Sequence, residues 1–188
     1  MNIAVLGFAV ILASWAGWLD WRSRRIPNWL TVPALVLGLT LNTAASRFLG
    51  GTGTWAGMKF GLAGAGLGLL LLLPFVLLRG LGAGDWKLMG ALGAFLGGRN
   101  LLYVLFGTVL IAGLMAVVEM IRRRRVKQTL ANLAVLIHAF VTFRLRPQRG
   151  TISLDNPDLM TVPFGVAAAV ATTIFVFAFF VQAAIKIS

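Results

Sequence analysis

"RGLGAGDWKLMGALGAFLGG", residues 79–98, sets an aspartate and a lysine among glycines in a chain that is otherwise nearly all apolar. Working outward, apolar runs at 56–78 and 100–121 flank it, each long enough to cross a bilayer core of about 30 Å. The chain has 188 residues, of which 59% are apolar and 12% charged. Soluble domains are typically about 45–50% apolar and about 25% charged, so this composition belongs to a polytopic membrane protein. Inside lipid every backbone polar group needs an internal partner, which apolar runs of this length satisfy as helices. The predicted fold is therefore all-α: a single membrane domain over residues 1–188, a bundle of about six transmembrane helices. The six segments are 2–19, 27–45, 56–78, 86–97, 100–121 and 159–185. The fourth is short and Gly-rich, which fits either a partial span or a helix packed inside the bundle.

Residues 122–158 break the pattern. "TLANLAVLIHAFVTF" (129–143) is too short to span comfortably and lies between "RRRRVK" and "RLRPQR". Crossing would put one basic cluster outside, so the stretch reads as a cytoplasmic or interfacial segment. The net charge of +12 reads as membrane topology rather than nucleic-acid binding, because Lys and Arg gather in cytoplasmic loops. With the loops after helices 1 and 5 inside, Arg22, Arg24, Arg25, Arg79, Lys87, Arg122, Arg123, Arg124, Arg125, Lys127, Arg144, Arg146 and Arg149 are inner, a count of 13. Arg47, Lys59, Arg99 and Lys186, a count of 4, are outer. Both termini are then expected outside. The N-terminus has no basic stretch before its apolar run, so helix 1 is expected to be retained rather than cleaved. Cysteine is absent, which excludes disulfides, thiolate metal sites and a cysteine nucleophile.

The acids are Asp20, Asp85, Glu119, Asp155 and Asp158. Counting spans puts Asp20 at the end of helix 1 and Asp85 at the start of helix 4, both on the cytoplasmic face. Ionisable groups at this depth are expensive and tend to mark function. Two carboxylates that approach closely cannot both ionise cheaply and share a proton. One can then take a proton from water while the other donates to a carbonyl oxygen, which is general acid–base hydrolysis of a peptide. The plainer reading stands beside it: Asp20 caps a helix end or pairs with Arg22 or Arg24, and Asp85 pairs with Lys87 or caps helix 4. Lys87 either tunes Asp85 or anchors at the headgroups. Glu119 reads as a partner of Arg122 or Arg123, Asp155 and Asp158 as turn residues around Pro157, and His138 as a lone histidine without a ligand set.

Gly80, Gly82 and Gly84 would let the chain before Asp85 take positive φ and approach a substrate strand closely. Gly57, Gly61, Gly64 and Gly68, and then Gly90, Gly93 and Gly97, form small-residue stripes suited to close helix packing. Pro27 suits the first turn of helix 2, and Asn28 either bonds near Asp20 or simply starts that helix.

"GAGDWKLMGALGAFLG" resembles the G-x-G-D-x-K-L signature of type IV prepilin peptidases, the GxGD class of intramembrane aspartyl proteases. "DWRSRRIPNWLT" resembles that family's first aspartate, its basic patch and the Ile-Pro-Asn that follows. "TVPFGVAAAV" resembles its Pro-Tyr/Phe-Gly element, with Phe164 in place of the commoner Tyr. The resemblance implies Asp20 and Asp85 as the catalytic pair, with Gly82, Gly84, Lys87, Pro27, Asn28, Pro163 and Gly165 shaping the site or binding substrate. It implies an endopeptidase of the bacterial inner membrane that removes short leaders from prepilins or pseudopilins at the cytoplasmic face, with no cofactor and no metal. Long members carry an extra CxxC-bearing segment linked to N-methylation. This chain starts at helix 1 and lacks Cys, so it resembles the short, peptidase-only form of tight-adherence (Flp-type) pilus systems or archaeal preflagellin peptidases; "RSRRIPNWLT" favours the bacterial form, and methyltransferase activity is not expected. The sequence leaves open which pilin is cut and whether copies form a homo-oligomer.

Other functions make different demands. A proton-coupled transporter subunit would place acids in mid-helix positions. A non-proteolytic scaffold would tolerate Asp→Asn at both positions. A lipid-modifying enzyme binding a divalent cation would want more than two carboxylates.

Overall fold

The computed structural model describes residues 2–48, 53–77, 81–122 and 162–186. Among them the chain is helical: α1 (Ile3–Ser23), α2 (Asn28–Phe48), α3 (Thr54–Leu77), α4 (Ala83–Arg122) and α5 (Phe164–Ile185). All five are long and apolar enough to cross a membrane. The expected 122–158 segment, with His138, Asp155 and Asp158, falls outside the described residues, apart from Arg122 at the end of α4.

Two compact units divide the chain: Met1–Ala112 with Pro163–Ser188, and Gly113–Val162. The described part of the second is chiefly the end of α4. In the first, α1 packs on α5, α2 on α3, and α1 on α2. Side-chain size sets these approaches. A Cβ on Gly17 would lie 2.9 Å from that of Ala169, and one on Gly57 would collide with the Asn42 carbonyl. Between α3 and α4 the fit is closer still, because a Cβ on Gly64 or Gly93 would run into the carbonyl of the other. The small-residue stripes are the seams along which backbones touch, as bilayer helices require when lipid offers no hydrophobic drive to associate.

The segments expected at 86–97 and 100–121 are joined in α4. A straight helix of its 40 residues would be about 60 Å long, twice a bilayer core. It is not straight: Gly97 has φ 74° and ψ 167°, so α4 is two helical limbs meeting at that residue. The limbs double back. A Cβ on Gly68 would lie 2.8 Å from the Met89 carbonyl and 2.9 Å from Leu101 Cδ2, residues that a continuous helix would hold about 18 Å apart. Glycine is required at the reversal for its positive φ and because the Phe60 ring lies on it. Every residue of Leu88–Gly97 is buried, so the short glycine-rich segment is the packed centre of the bundle.

The carbonyls released at the reversal find side-chain partners. Asn42 Nδ2 donates to the carbonyls of Ala94 at 2.7 Å and Phe95 at 3.0 Å, and Asn100 Nδ2 donates to that of Leu96 at 2.8 Å.

Three of the boundaries that differ from expectation bear on the site. Helix α1 continues one turn past Asp20 to Ser23, because the apolar–basic junction marks the membrane edge and not the helix end. Helix α4 begins at Ala83, upstream of Asp85, so Asp85 sits in its first turn and does not cap it. Helix α5 begins at Phe164, after Pro163 in an extended conformation at its N-cap.

Candidate active site

Asp20 lies on the inner side of α1 and is only 6% exposed, so its carboxyl must be satisfied by protein. It accepts a 2.8 Å hydrogen bond at Oδ2 from the Gly165 N–H, in the first turn of α5. That N–H is one of the four that a helix start leaves without intrahelical partners. Helix α5 can come this close because residue 165 has no side chain: a Cβ would lie 2.9 Å from Asp20 Cβ. Pro163 just before it is buried and accepts at its carbonyl from the Ala167 N–H at 3.4 Å. Helix α1 ends at Arg24, whose left-handed φ of 53° turns the chain and whose N–H closes on the Asp20 carbonyl at 2.8 Å. The Arg24 charge lies within electrostatic range of the Asp20 carboxyl.

Asp85 is the third residue of α4 and is half-buried. Its carboxyl accepts from the Gly82 N–H, the reach-back a first-turn acid makes to the residue capping its helix. The two carboxyls lie within electrostatic range of each other. Sequence reasoning gave Gly82 and Gly84 positive φ, and neither has it; among the described glycines only Gly53 and Gly97 do. Their role is closeness. A Cβ on Gly82 would lie 3.0 Å from Asp85 Oδ2, and one on Gly84 would lie 2.9 Å from the Ile26 carbonyl oxygen. Gly80 lies outside the described residues.

The connector between α1 and α2 completes the cluster. Pro27 accepts at its carbonyl from the Leu30 N–H at 3.1 Å and so starts α2. Asn28, the first residue of α2, accepts at Oδ1 a 2.9 Å bond from Lys87 Nζ. Lys87 is therefore held by a neutral oxygen of α2, which the sequence gave no way to see. Asp20, Pro27, Asn28, Gly82, Gly84, Asp85, Lys87, Pro163 and Gly165 all gather where α1 ends and α2, α4 and α5 begin.

Two residues at this junction were not named as site residues from the sequence. Arg24 was read as part of the basic loop and as a candidate partner of Asp20, and its charge does act on that carboxyl. Ile26 is buried although basic residues precede it, and it touches both Gly84 and Gly165. Its place in the Ile-Pro-Asn element, and its standing as an apolar residue between "RSRR" and Pro27, were the available signals for it.

Such an arrangement suits hydrolysis. Each carboxyl is oriented by a backbone N–H, one is buried and one half-buried, and the two sense each other's charge. Neither a search of curated proteins nor one of solved structures gave a match. Residues 6–117, which include both aspartates, match the model of the type IV leader peptidase family. That match covers more than half of the chain, and with it the chain belongs to the type IV leader peptidase family.

Proposed function

We propose that the chain is an aspartyl endopeptidase in which Asp20 and Asp85 share one proton and cut the leader from a type IV prepilin or pseudopilin, as in Flp-type systems. The observation that carries this reading is the meeting of Asp20 and Asp85 at one junction, each held by a backbone N–H from a helix start. The ionised carboxylate takes a proton from water as the oxygen attacks the scissile carbonyl. The protonated carboxyl donates to the carbonyl oxygen, giving a gem-diol. Collapse returns that proton, breaks the C–N bond and delivers a proton to the leaving amine. The placement of the site at helix ends suits a substrate whose leader emerges from the bilayer at the same face. On this reading the enzyme works at the cytoplasmic face of a bacterial inner membrane.

The test is cleavage of a purified prepilin by the purified chain in detergent, scored as leader loss on a gel. Asp20→Asn and Asp85→Asn keep shape and remove the acid–base group, and each is expected to lower the rate by at least about 100-fold. Parental rates in both variants would end the aspartyl reading.

A further inference from the structure

Ile26 occupies a position that neither its sequence neighbours nor the dyad chemistry explains. It is 7% exposed in a connector whose neighbours Arg24 and Arg25 are exposed. Its backbone lies under the start of α4: a Cβ on Gly84 would be 2.9 Å from the Ile26 carbonyl, 3.1 Å from its Cβ and 3.3 Å from its nitrogen. Its side chain lies against the start of α5, with Cδ1 3.1 Å from where a Gly165 Cβ would be. Gly84 is the neighbour of Asp85, and Gly165 holds Asp20. One residue thus touches both helix starts that carry or grip the two carboxyls.

We propose that Ile26 is a positioning residue, a spacer wedged between the starts of α4 and α5 that sets the separation of Asp20 and Asp85. This rests on the aspartyl reading above. The connector is fixed on both sides of it. The Arg24 N–H is bonded to the Asp20 carbonyl, and Asn28 is bonded to Lys87 of α4. Neither end can slide to absorb a change in the volume of residue 26. A smaller side chain lets the helix starts close and the carboxyls approach, whereas a larger one drives them apart.

Separation has a measurable signature. Like charges that approach interact more strongly, so the two ionisations of a shared-proton pair move further apart and the pH–rate profile broadens. Carboxyls that separate give a narrower profile. Among the described residues, Arg24 of the connector acts on Asp20, and the nearby Lys87 of α4 is bonded to Asn28. The α5 residues at the junction, Phe164 and Gly165, carry no charge. Substitution of Ile26 leaves all of these groups in place.

The experiment uses the full chain in detergent and a synthetic transmembrane peptide carrying a prepilin leader. It records kcat, KM, the pH profile of kcat and the thermal unfolding midpoint. Ile26→Val, which removes Cδ1 alone, is expected to lower kcat about 10- to 100-fold with KM little changed, and to broaden the profile. Ile26→Phe is expected to lower kcat and narrow it. Ile26→Leu keeps the volume and stays near the parental profile. Leu6→Ala, a cavity far along α1 from the junction, lowers the midpoint without moving either limb. Unmoved limbs in Ile26→Val, or kcat losses that only track the unfolding midpoint as in Leu6→Ala, would overturn the proposal. Ile26→Val decides the matter alone should the larger ring block folding. Full activity in Asp20→Asn would instead remove the aspartyl reading itself, so the two failures are told apart.

Discussion

At the residue scale the junction depends on what is missing from its glycines. Gly165 gives Asp20 its hydrogen bond because the helix start can approach within touching distance of Asp20 Cβ. Gly165→Ala retains the N–H but sets a methyl carbon where Asp20 Cβ and Oδ2 already stand, at 2.9 and 3.1 Å. Asp20 Cβ is fixed to the α1 backbone, so α5 or the carboxyl must move by several tenths of an ångström. Misplacement on that scale acts on the reacting geometry, and about a 10- to 100-fold loss of kcat is expected with KM largely retained. Steady-state cleavage kinetics check it, with thermal unfolding measured alongside. A variant that keeps parental kcat would show that the Gly165 contact does not set the position of Asp20.

At the scale of elements, the reversal in α4 is the feature on which the bundle turns. Asn42 of α2 reaches the Ala94 and Phe95 carbonyls, whose helical donors would have lain beyond Gly97. Asn42→Leu keeps roughly the size and leaves both carbonyls buried without that donor, a loss of about 1–3 kcal/mol each at most. A lowered unfolding midpoint in detergent is the expected result, and an unchanged midpoint would mean other groups satisfy the turn. The helices themselves were legible because apolar runs of bilayer length have one economical conformation. The glycine seams were legible from their spacing, and Asp20 and Asp85 stood out as acids in an apolar chain. The end of α1 was not legible, since the change from apolar to basic marks the lipid boundary and the helix runs on past it. The pairing of Lys87 with Asn28 and the wedge of Ile26 join positions 59, 58 and 139 residues apart, from 28 to 87, 26 to 84 and 26 to 165. Local pattern carries no record of such contacts.

At the scale of the whole molecule, the chain is a multi-pass membrane protein, and its helix connections constrain which ends share a side. Helix α4 folds back on itself at Gly97, and if each of its limbs crosses, the described helices make six passes. An even number puts the two ends of the chain on one side of the membrane. The excess of Lys and Arg in the loops after α1 and α4 is the ground for expecting that side to be the outside. On that topology the junction holding Asp20 and Asp85 is inside, where the proposed function has a prepilin leader cut. The absence of native cysteine allows a direct test, because any thiol introduced is the only one in the chain. Asn2→Cys and Thr54→Cys place it before α1 and at the start of α3, and both are expected to react with a membrane-impermeant maleimide added to intact cells. Ser23→Cys, at the end of α1 beside the junction, is expected to react only after the membrane is opened. Labelling of Ser23→Cys in intact cells would put the aspartates on the outer face and remove the stated route for the substrate. Labelling of Asn2→Cys without Thr54→Cys would mean that α1 and α2 do not both cross.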